Sequence, residues 1–434
     1  MSGRYTFNVP PLFRFVRILR PCYATDPQLM QDTSSDVMTQ IRKILHLDLD
    51  AFFCAVEEQR DGSLRGLPFA VGGRPEDRGV VASCSYAARR YGVHSALPMS
   101  QALRLCPPLR IVPANHRAYG RTSRRVMACL HDLTSLVEQL SIDEAFLDVT
   151  RLSEPAAAIA RQLQRRIQQE LQLPCSLGVA TNKLVAKIAN NVGKAAAQSG
   201  DYPNAITVVP PGQEAAFLAP LPCEELWGVG PKTAERLRAL GITTIGEIAG
   251  WPERELVARF GKHGADLAYH ARGLDLRAVE TQRESKSISQ ETTFNRDLSD
   301  GAKLRQVIEE QAQGVANELR RKRLLATTVK LKLRWHDFTT LTRQTTFTQP
   351  TAAADQIGAA ALRLFQATWH GELVRLVGVG VSGLNNSAQQ LSLWEDPQEQ
   401  AVREKETRLQ QTLQMLRQRY GDDAIQRGWT AADE

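Results

Sequence analysis

The sequence predicts an α+β, multidomain chain, and three observations carry that prediction. Residues 41–209 run strand, helix, hairpin, helix, strand, the order of a ferredoxin-like sheet. Residues 213–275 are helical and punctuated by glycine, and 287–386 alternate strands with amphipathic helices. A length of 434 residues agrees with several domains, since a domain holds on the order of 100–200 residues.

The elements follow in order. Residues 1–37 mix Arg, Pro, Ser, Asp and Thr without periodicity and read as a disordered leader or the product of an upstream start codon. Residues 41–49 form a short apolar run bounded by charge, as a buried strand does. A helix over 52–59 ends at Gly62, Gly66 and Pro68, and short strands at 69–72 and 79–83 flank a polar turn. Helices are predicted at 85–91 and 100–105. Strands at 136–140 and 145–149 form a hairpin with Ser141-Ile142-Asp143-Glu144 at its tip. Pro155 opens a helix whose Ile159, Leu163, Ile167 and Leu171 recur every fourth residue. A strand at 175–180 and a helix at 184–190 complete the sheet unit. Pro210-Pro211-Gly212 marks a boundary, 276–286 read as a linker, and 387–434 as a tail containing an amphipathic stretch.

Composition narrows the function. Hydrophobic residues make up 43% and charged residues 23%, ordinary for a folded soluble protein. The net charge of +7 permits an acidic polymer as partner. No run of 18 apolar residues exists, and Arg14, Arg17 and Arg20 interrupt the N-terminal apolar residues, so neither a membrane span nor a signal peptide is expected. Seven cysteines form no CxxC pair, which argues against zinc and a disulfide framework and for reduced thiols in a cytoplasm.

Several constellations can do chemistry. Asp48 and Asp50 end the first strand, where a carboxylate is costly unless paired or bound to a cation. Asp143 and Glu144 stand at the hairpin tip. If the two strands are neighbours, Asp48, Asp143 and Glu144 cluster and repel unless a divalent metal neutralises them. Hard oxygen ligands favour magnesium or manganese, and such ions suit nucleotidyl transfer. Solvated turn acids are the alternative. Tyr86 and Arg89, three apart, share a helical face and pair a hydroxyl with a guanidinium, a combination that suits a triphosphate; an exposed helix face is the alternative. Lys183 and Lys187 share a face and repel unless an anion lies nearby, or the face is simply solvated.

Leu226-Trp227-Gly228-Val229-Gly230-Pro231-Lys232 reads as the turn of a helix–hairpin–helix that grips a DNA backbone through Gly228, Gly230 and Lys232 without reading bases. In 328–335, alternation puts Lys330, Lys332 and Arg334 on one sheet face and Val329, Leu331, Leu333 and Trp335 on the other, so the basic face can track phosphates or stay solvated. Gln390-Leu391-Ser392-Leu393-Trp394 reads as a short peptide that docks in a partner's groove, or packs back on its own domain.

Together, HLDLDAFFCAVE, VVASCSYAARRYGV, LSIDEAFLDVT and TNKLVAKIA, in this order and spacing, resemble the Y-family translesion DNA polymerases, most closely the bacterial DinB type. The resemblance runs from about Met38 to Leu393. It implies a right-hand polymerase: a ferredoxin-like palm over 38–51 and 114–209, small fingers over 52–113, a thumb over 210–275 and an α/β little finger over 287–386. It implies that Asp48 and Asp143 hold magnesium, that Glu144 completes the catalytic site, and that the Leu49 main-chain carbonyl lies beside a metal. Two Mg2+ ions are implied, with Mn2+ as a substitute. Ser83, Tyr86, Arg89 and Lys187 resemble the dNTP triphosphate site. Phe53 falls at the steric gate, where an aromatic ring leaves no room for a 2′-hydroxyl, and Ala51 beside it is small. Gln390, Leu391, Leu393 and Trp394 resemble the peptide that docks on a sliding clamp.

Primer–template DNA, dNTPs and the clamp are the implied partners of a monomer without a membrane, which copies damaged template without proofreading. The sequence departs from the family pattern at Ser85, where many relatives carry Asn, at Asn190–Lys194, which lacks a Lys-Pro stop, and at Trp394 in place of Phe. A non-catalytic scaffold lacks a reason for all the acids. A two-metal nuclease lacks one for Phe53, Tyr86 and Arg89.

Overall fold

A computed structural model describes residues 41–197, 201–282 and 284–385, with positions 412, 415 and 416 of the tail. The leader 1–37 and the peptide 390–394 lie outside the described residues. The chain divides into two compact units. One takes the described residues to Asp50 together with Gly120–Val279, the other takes 51–119 and the residues from Glu280 onward.

The first unit is built on a five-stranded sheet in the order Val137–Gln139, Glu144–Asp148, Ile44–Leu49, Cys175–Ala180, Ile206–Val208. Its central strand pairs antiparallel on both sides, and Asp48 stands opposite Glu144 on one neighbour and Ser176 on the other. The strand is central because its run of apolar residues is buried on both faces. Helix Ala156–Leu171 buries the four-residue apolar repeat read from the sequence and ends at Gln172 in a left-handed conformation. Helix Lys183–Ala196 lies tight against Cys175–Ala180 because Gly178 has no Cβ; one would run into the Ala186 carbonyl. Asn182 caps that helix through the Val185 N–H at 3.0 Å, and buried Asp275 accepts from the Leu184 N–H at 3.0 Å.

Leu184, Val185 and Ile188 share one core with Leu226, Leu237, Ile245 and Leu267 of the helical segment that follows. There Pro231 opens Pro231–Arg238 behind Gly228, whose φ of +100° only glycine adopts readily. Thr244 and Glu247 form a capping box at Ile245–Gly250, which secures the second half of the helix–hairpin–helix.

The second unit holds two sheets. Val81–Cys84, Phe69–Gly72 and Arg110–Val112 form a three-stranded sheet over Met99 and Ala102. Thr340–Thr351, Leu325–Trp335, Val374–Asn385 and Ser287–Leu298 form a four-stranded antiparallel sheet. Helices Gly301–Lys322 and Ala354–Gln366 share its core. Within this unit the 75–78 turn meets the fourth strand: Arg78 pairs with Asp297 at 2.6 Å, and Asn295 donates to Asp77 at 2.7 Å.

The sequence reading assigned no element to 110–112, 116–133 or 206–208, and all three are regular. Helix His116–Leu133 carries weak formers in Gly120, Thr122 and Ser123; Asn115 caps it, and Tyr119, Val126 and Leu130 are buried at helical spacing. The helix predicted at 184–190 extends to Ala196. The six described cysteines are free thiols, all buried. No described helix is long and apolar enough to cross a membrane.

Candidate active site

The end of the central strand and the 141–144 turn are tied by one backbone bond, Leu49 N–H to the Asp143 carbonyl at 3.0 Å. Ser141 shapes the turn. Its Oγ accepts from the Asp143 and Glu144 N–H groups at 3.3 and 3.1 Å and donates to the Asp143 carboxylate at 2.5 Å. Glu144 is therefore the first residue of its strand, opposite Asp48, while Asp143 stays in the turn. Burial pushes the Asp143 carboxyl up from its ordinary value, and the charges of Asp48 and Glu144 add to it against the Ser141 hydrogen bond.

Asp48, Asp50 and Glu144 each have a cationic partner. Lys194 Nζ lies 2.6 Å from Asp48 and 3.2 Å from Asp50. Lys187 Nζ lies 2.5 Å from Glu144, and His46 Nε2 lies 3.3 Å from the same carboxylate. His46 and then Lys187 hold Glu144 down to about 2, against the effect of burial. Burial in turn lowers the His46 pKa, so the ring is neutral. Its Nδ1 faces the Asn190 amide at 3.0 Å, which leaves Nε2–H to donate to Glu144. Asp50, beyond the strand end, is fully buried and accepts from the Ser176 hydroxyl at 2.8 Å and the Asn204 N–H at 3.1 Å. It braces the sheet rather than joining the exposed acids.

Among the described residues no group of three His, Cys, Asp or Glu side chains is gathered as a metal cage. The donor set nonetheless fits a hard divalent cation. Three half-buried carboxylates, with Asp143 raised by burial and by its two neighbours, form a focus of negative charge that Lys194 and Lys187 compensate at Asp48 and Glu144. Lys183 corrects the picture of a solvated basic face: it is buried and paired with Glu138 at 2.7 Å, as Lys187 is with Glu144. Sequence reasoning missed Lys194 and His46. Lys183, Lys187 and Lys194 fall at i, i+4 and i+11, one helical face, and that spacing was the available signal.

In the second unit, Ala51 enters helix Phe52–Arg60 with φ of +43° and is itself buried, so its small side chain serves a left-handed turn. Phe53 is half-buried and stacks on Tyr119, with centroids 4.2 Å apart and planes at 11°, while His116 meets its edge at 6.2 Å. The Tyr119 hydroxyl donates to buried Glu57 at 2.6 Å, which Arg60 also pairs at 2.7 Å. Tyr119 and Glu57 were not singled out in the sequence, because they sit 62 positions apart and only the fold joins them.

Arg89 is exposed, and its guanidinium lies 4.4 Å above the Tyr86 ring. Ser85 caps their four-residue helix through the Ala88 N–H. Ser83 is buried, 3.6 Å from the Cys54 sulfur. Gly228, Gly230 and Lys232 are exposed on their unit. Lys330, Lys332 and Arg334 are part-exposed while Val329, Leu331 and Leu333 are buried, as the alternation predicts. Lys332 pairs with Glu291 at 2.8 Å, and Arg334 donates to Thr340.

Comparisons place these features in context. The impB/mucB/samB family matches residues 47–191, its helix–hairpin–helix motif 211–242, and its C-terminal domain 285–393. A DNA polymerase IV of Dehalococcoides mccartyi is 39% identical over 395 residues, covering 90% of this chain and 98% of that one. One from Listeria monocytogenes is 40% identical over 351 residues, covering 80% and 96%. Another, from Methanoculleus marisnigri, is 42% identical over 351 residues, covering 80% and 95%. Among solved structures, the Y-family DNA polymerase chimera Dbh-Dpo4(243-245)-Dbh has a TM-score of 0.70 at 26% identity, covering 80% of this chain and all of that one.

Proposed function

Because the chain belongs to the impB/mucB/samB family of Y-family DNA polymerases, and is a DNA-directed polymerase of translesion synthesis, we propose that Asp48, Asp143 and Glu144 are its catalytic carboxylates. The observation that carries this reading is geometric: Glu144 stands opposite Asp48 in the sheet, and the backbone bond from Leu49 brings the Asp143 turn to the same strand end. Such a focus favours a cation of more than one charge.

The family is dependent on a divalent metal. Our finer reading is two Mg2+ ions, for which Mn2+ substitutes, held by Asp48, Asp143, Glu144 and the Leu49 carbonyl. Bound there, they supply charge neutralisation and Lewis acidity for phosphoryl chemistry. The rest belongs to the chain. At the site these carboxylates shape, the primer 3′-hydroxyl releases its proton to solvent as its oxygen forms a bond to the α-phosphorus of a dNTP, the bond from that phosphorus to the oxygen bridging to the β-phosphate breaks, and pyrophosphate leaves. Ser141 keeps Asp143 and Glu144 in place through its three hydrogen bonds. Tyr86, Arg89 and Lys187 receive the triphosphate, with Ser83 in support. The Phe53 ring, braced by Tyr119, excludes a 2′-hydroxyl by shape.

In this reading the palm comprises 38–51 and 114–209, the fingers 52–113, the thumb 210–275 and the little finger 287–386, with 276–286 as linker. Gly228, Gly230 and Lys232 grip the DNA backbone, and Lys330, Lys332 and Arg334 follow its phosphates. Gln390, Leu391, Leu393 and Trp394 dock on a sliding clamp, and the polymerase works as a cytoplasmic monomer. These roles rest on the motifs and on the exposure of the basic groups.

The deciding experiment is primer extension by Asp143→Asn. We expect extension to fall by at least about a thousandfold, a loss of ~4 kcal/mol in transition-state stabilisation, with primer–template affinity retained. Extension at the wild-type rate would remove Asp143 from the site.

A further inference from the structure

We propose that Trp227 is a positioning residue for nucleotidyl transfer, holding the Lys187 ammonium on Glu144. The proposal rests on the reading of Glu144 and Lys187 as part of the reacting site. Trp227 belongs to the loop that carries Gly228 and Gly230, yet its ring turns toward the sheet. The Phe146 ring lies 5.9 Å from it, centroid to centroid, the Arg277 guanidinium 4.7 Å and Lys187 Nζ 5.7 Å.

Two of these neighbours are fixed. Phe146 is two residues beyond Glu144 on one strand, so both side chains leave the same sheet face, and His46 meets that ring at 4.8 Å with the planes tilted by 58°. Arg277 is locked to buried Asp275 by bonds of 2.7 and 2.9 Å, and Asp275 in turn accepts from Leu184 N–H, in the first turn of the helix that carries Lys187. The indole is thus set by rigid partners, and the flexible member of the group is Lys187.

A lysine head on a four-carbon stem has many rotamers, and one carboxylate selects among them weakly where water competes. An aromatic face within about 6 Å adds an electrostatic preference without adding a negative charge beside the carboxylates. Lys187 also borders a cleft of about 210 Å³, lined by Ile188, Asn191, Glu224 and Trp227. With the ring removed, the ammonium has that space and the Glu224 side into which to turn. Trp227 therefore contributes direction: it biases Lys187 toward Glu144. The indole is half-buried, so this bias acts with partial desolvation, where cation–π attraction is stronger.

The test uses the full chain, with Trp227→Phe, Trp227→Leu, Lys187→Met and the double variants. Leu keeps apolar bulk without a π face, and Phe keeps the face. Single-nucleotide insertion at saturating primer–template is read alongside primer–template Kd by fluorescence anisotropy and melting temperature. We expect Trp227→Leu to lower kcat about tenfold and to raise dNTP KM, with DNA Kd within about twofold, and Trp227→Phe to retain most of both. In a Lys187→Met background, Trp227→Leu should cost nothing further. Equal losses in Phe and Leu, losses that multiply in the double variant, or a loss confined to DNA Kd or melting temperature would each overturn the proposal. If Lys187→Met alone leaves kcat unchanged, the failure belongs instead to the underlying reading of Lys187.

Discussion

Ile44–Leu49 and Leu325–Trp335 hold the same place in their sheets: each is paired antiparallel on both sides. Both carry charged side chains, under opposite conditions. The first ends in acids at a crowded, half-buried edge where Lys187, Lys194 and His46 are each committed to a carboxylate. The second displays Lys330, Lys332 and Arg334 on a part-exposed face, above a row of buried Val and Leu. Desolvation makes the difference. In the first site a charge is worth much and its removal leaves a partner stranded. In the second each charge is screened, and the group matters as a sum.

That contrast can be broken at its strongest point by Asp50→Ala, which removes a fully buried carboxylate from Ser176, Asn204 and Lys194. We expect a loss of about 3 kcal/mol in urea denaturation. A loss under about 1 kcal/mol, the size of a surface pair, would mean the two strands do not differ as argued. Asp275→Asn tests the same principle through pH. Burial pushes the Asp275 carboxyl up, but the Arg277 and Leu184 hydrogen bonds outweigh it, so the carboxyl lies below its ordinary value. A lowered acid stabilises the fold above its unfolded pKa and loses that contribution as pH falls through the folded value. The stability gap between wild type and variant should be full at pH 7 and close in acid. A constant gap would assign the effect to packing.

The open face should behave otherwise. Replacing Lys330, Lys332 and Arg334 together by Ala should leave stability within about 1 kcal/mol. It should flatten the salt dependence of primer–template binding by about one unit of slope for each phosphate that the face no longer neutralises. An unchanged slope would remove this face from the DNA path. The smallest effect is expected from Glu291→Gln, which releases Lys332 from its 2.8 Å pair. DNA affinity should rise about twofold at low salt and not at high salt, as a screened pair predicts. A fall in affinity would mean Glu291 positions Lys332 for DNA.

The same contrast explains what the sequence disclosed. Asp48, Asp143 and Glu144 were legible because each acid interrupts an apolar run, and the strand alternation of 328–335 was legible because every second residue is apolar. The ferredoxin-like unit followed from its strand, helix, hairpin, helix, strand succession, while the edge strand Ile206–Val208 did not. The compensation was not legible. Lys183 and Lys187 called for a nearby anion or a solvated face, and nothing local reveals that Glu138 and Glu144 are those anions. Lys194 lies 146 positions from Asp48, and Tyr119 lies 62 positions from Glu57. Pairings made by tertiary contact leave no periodicity behind. Helix His116–Leu133 failed for a simpler reason, since Gly120, Thr122 and Ser123 lower local propensity that burial then overrides.

The buried cysteines bear on how such an enzyme can be watched. Burial pushes the Cys54 thiol up to about 12 and raises Cys84, Cys106, Cys129, Cys175 and Cys223 as well. A thiol held protonated and enclosed reacts slowly with maleimides and peroxides alike. With Cys22 replaced by Ser, a cysteine introduced at an exposed position of each unit would take a fluorophore selectively. The dye's environment would then report on its own unit through a catalytic cycle, one molecule at a time.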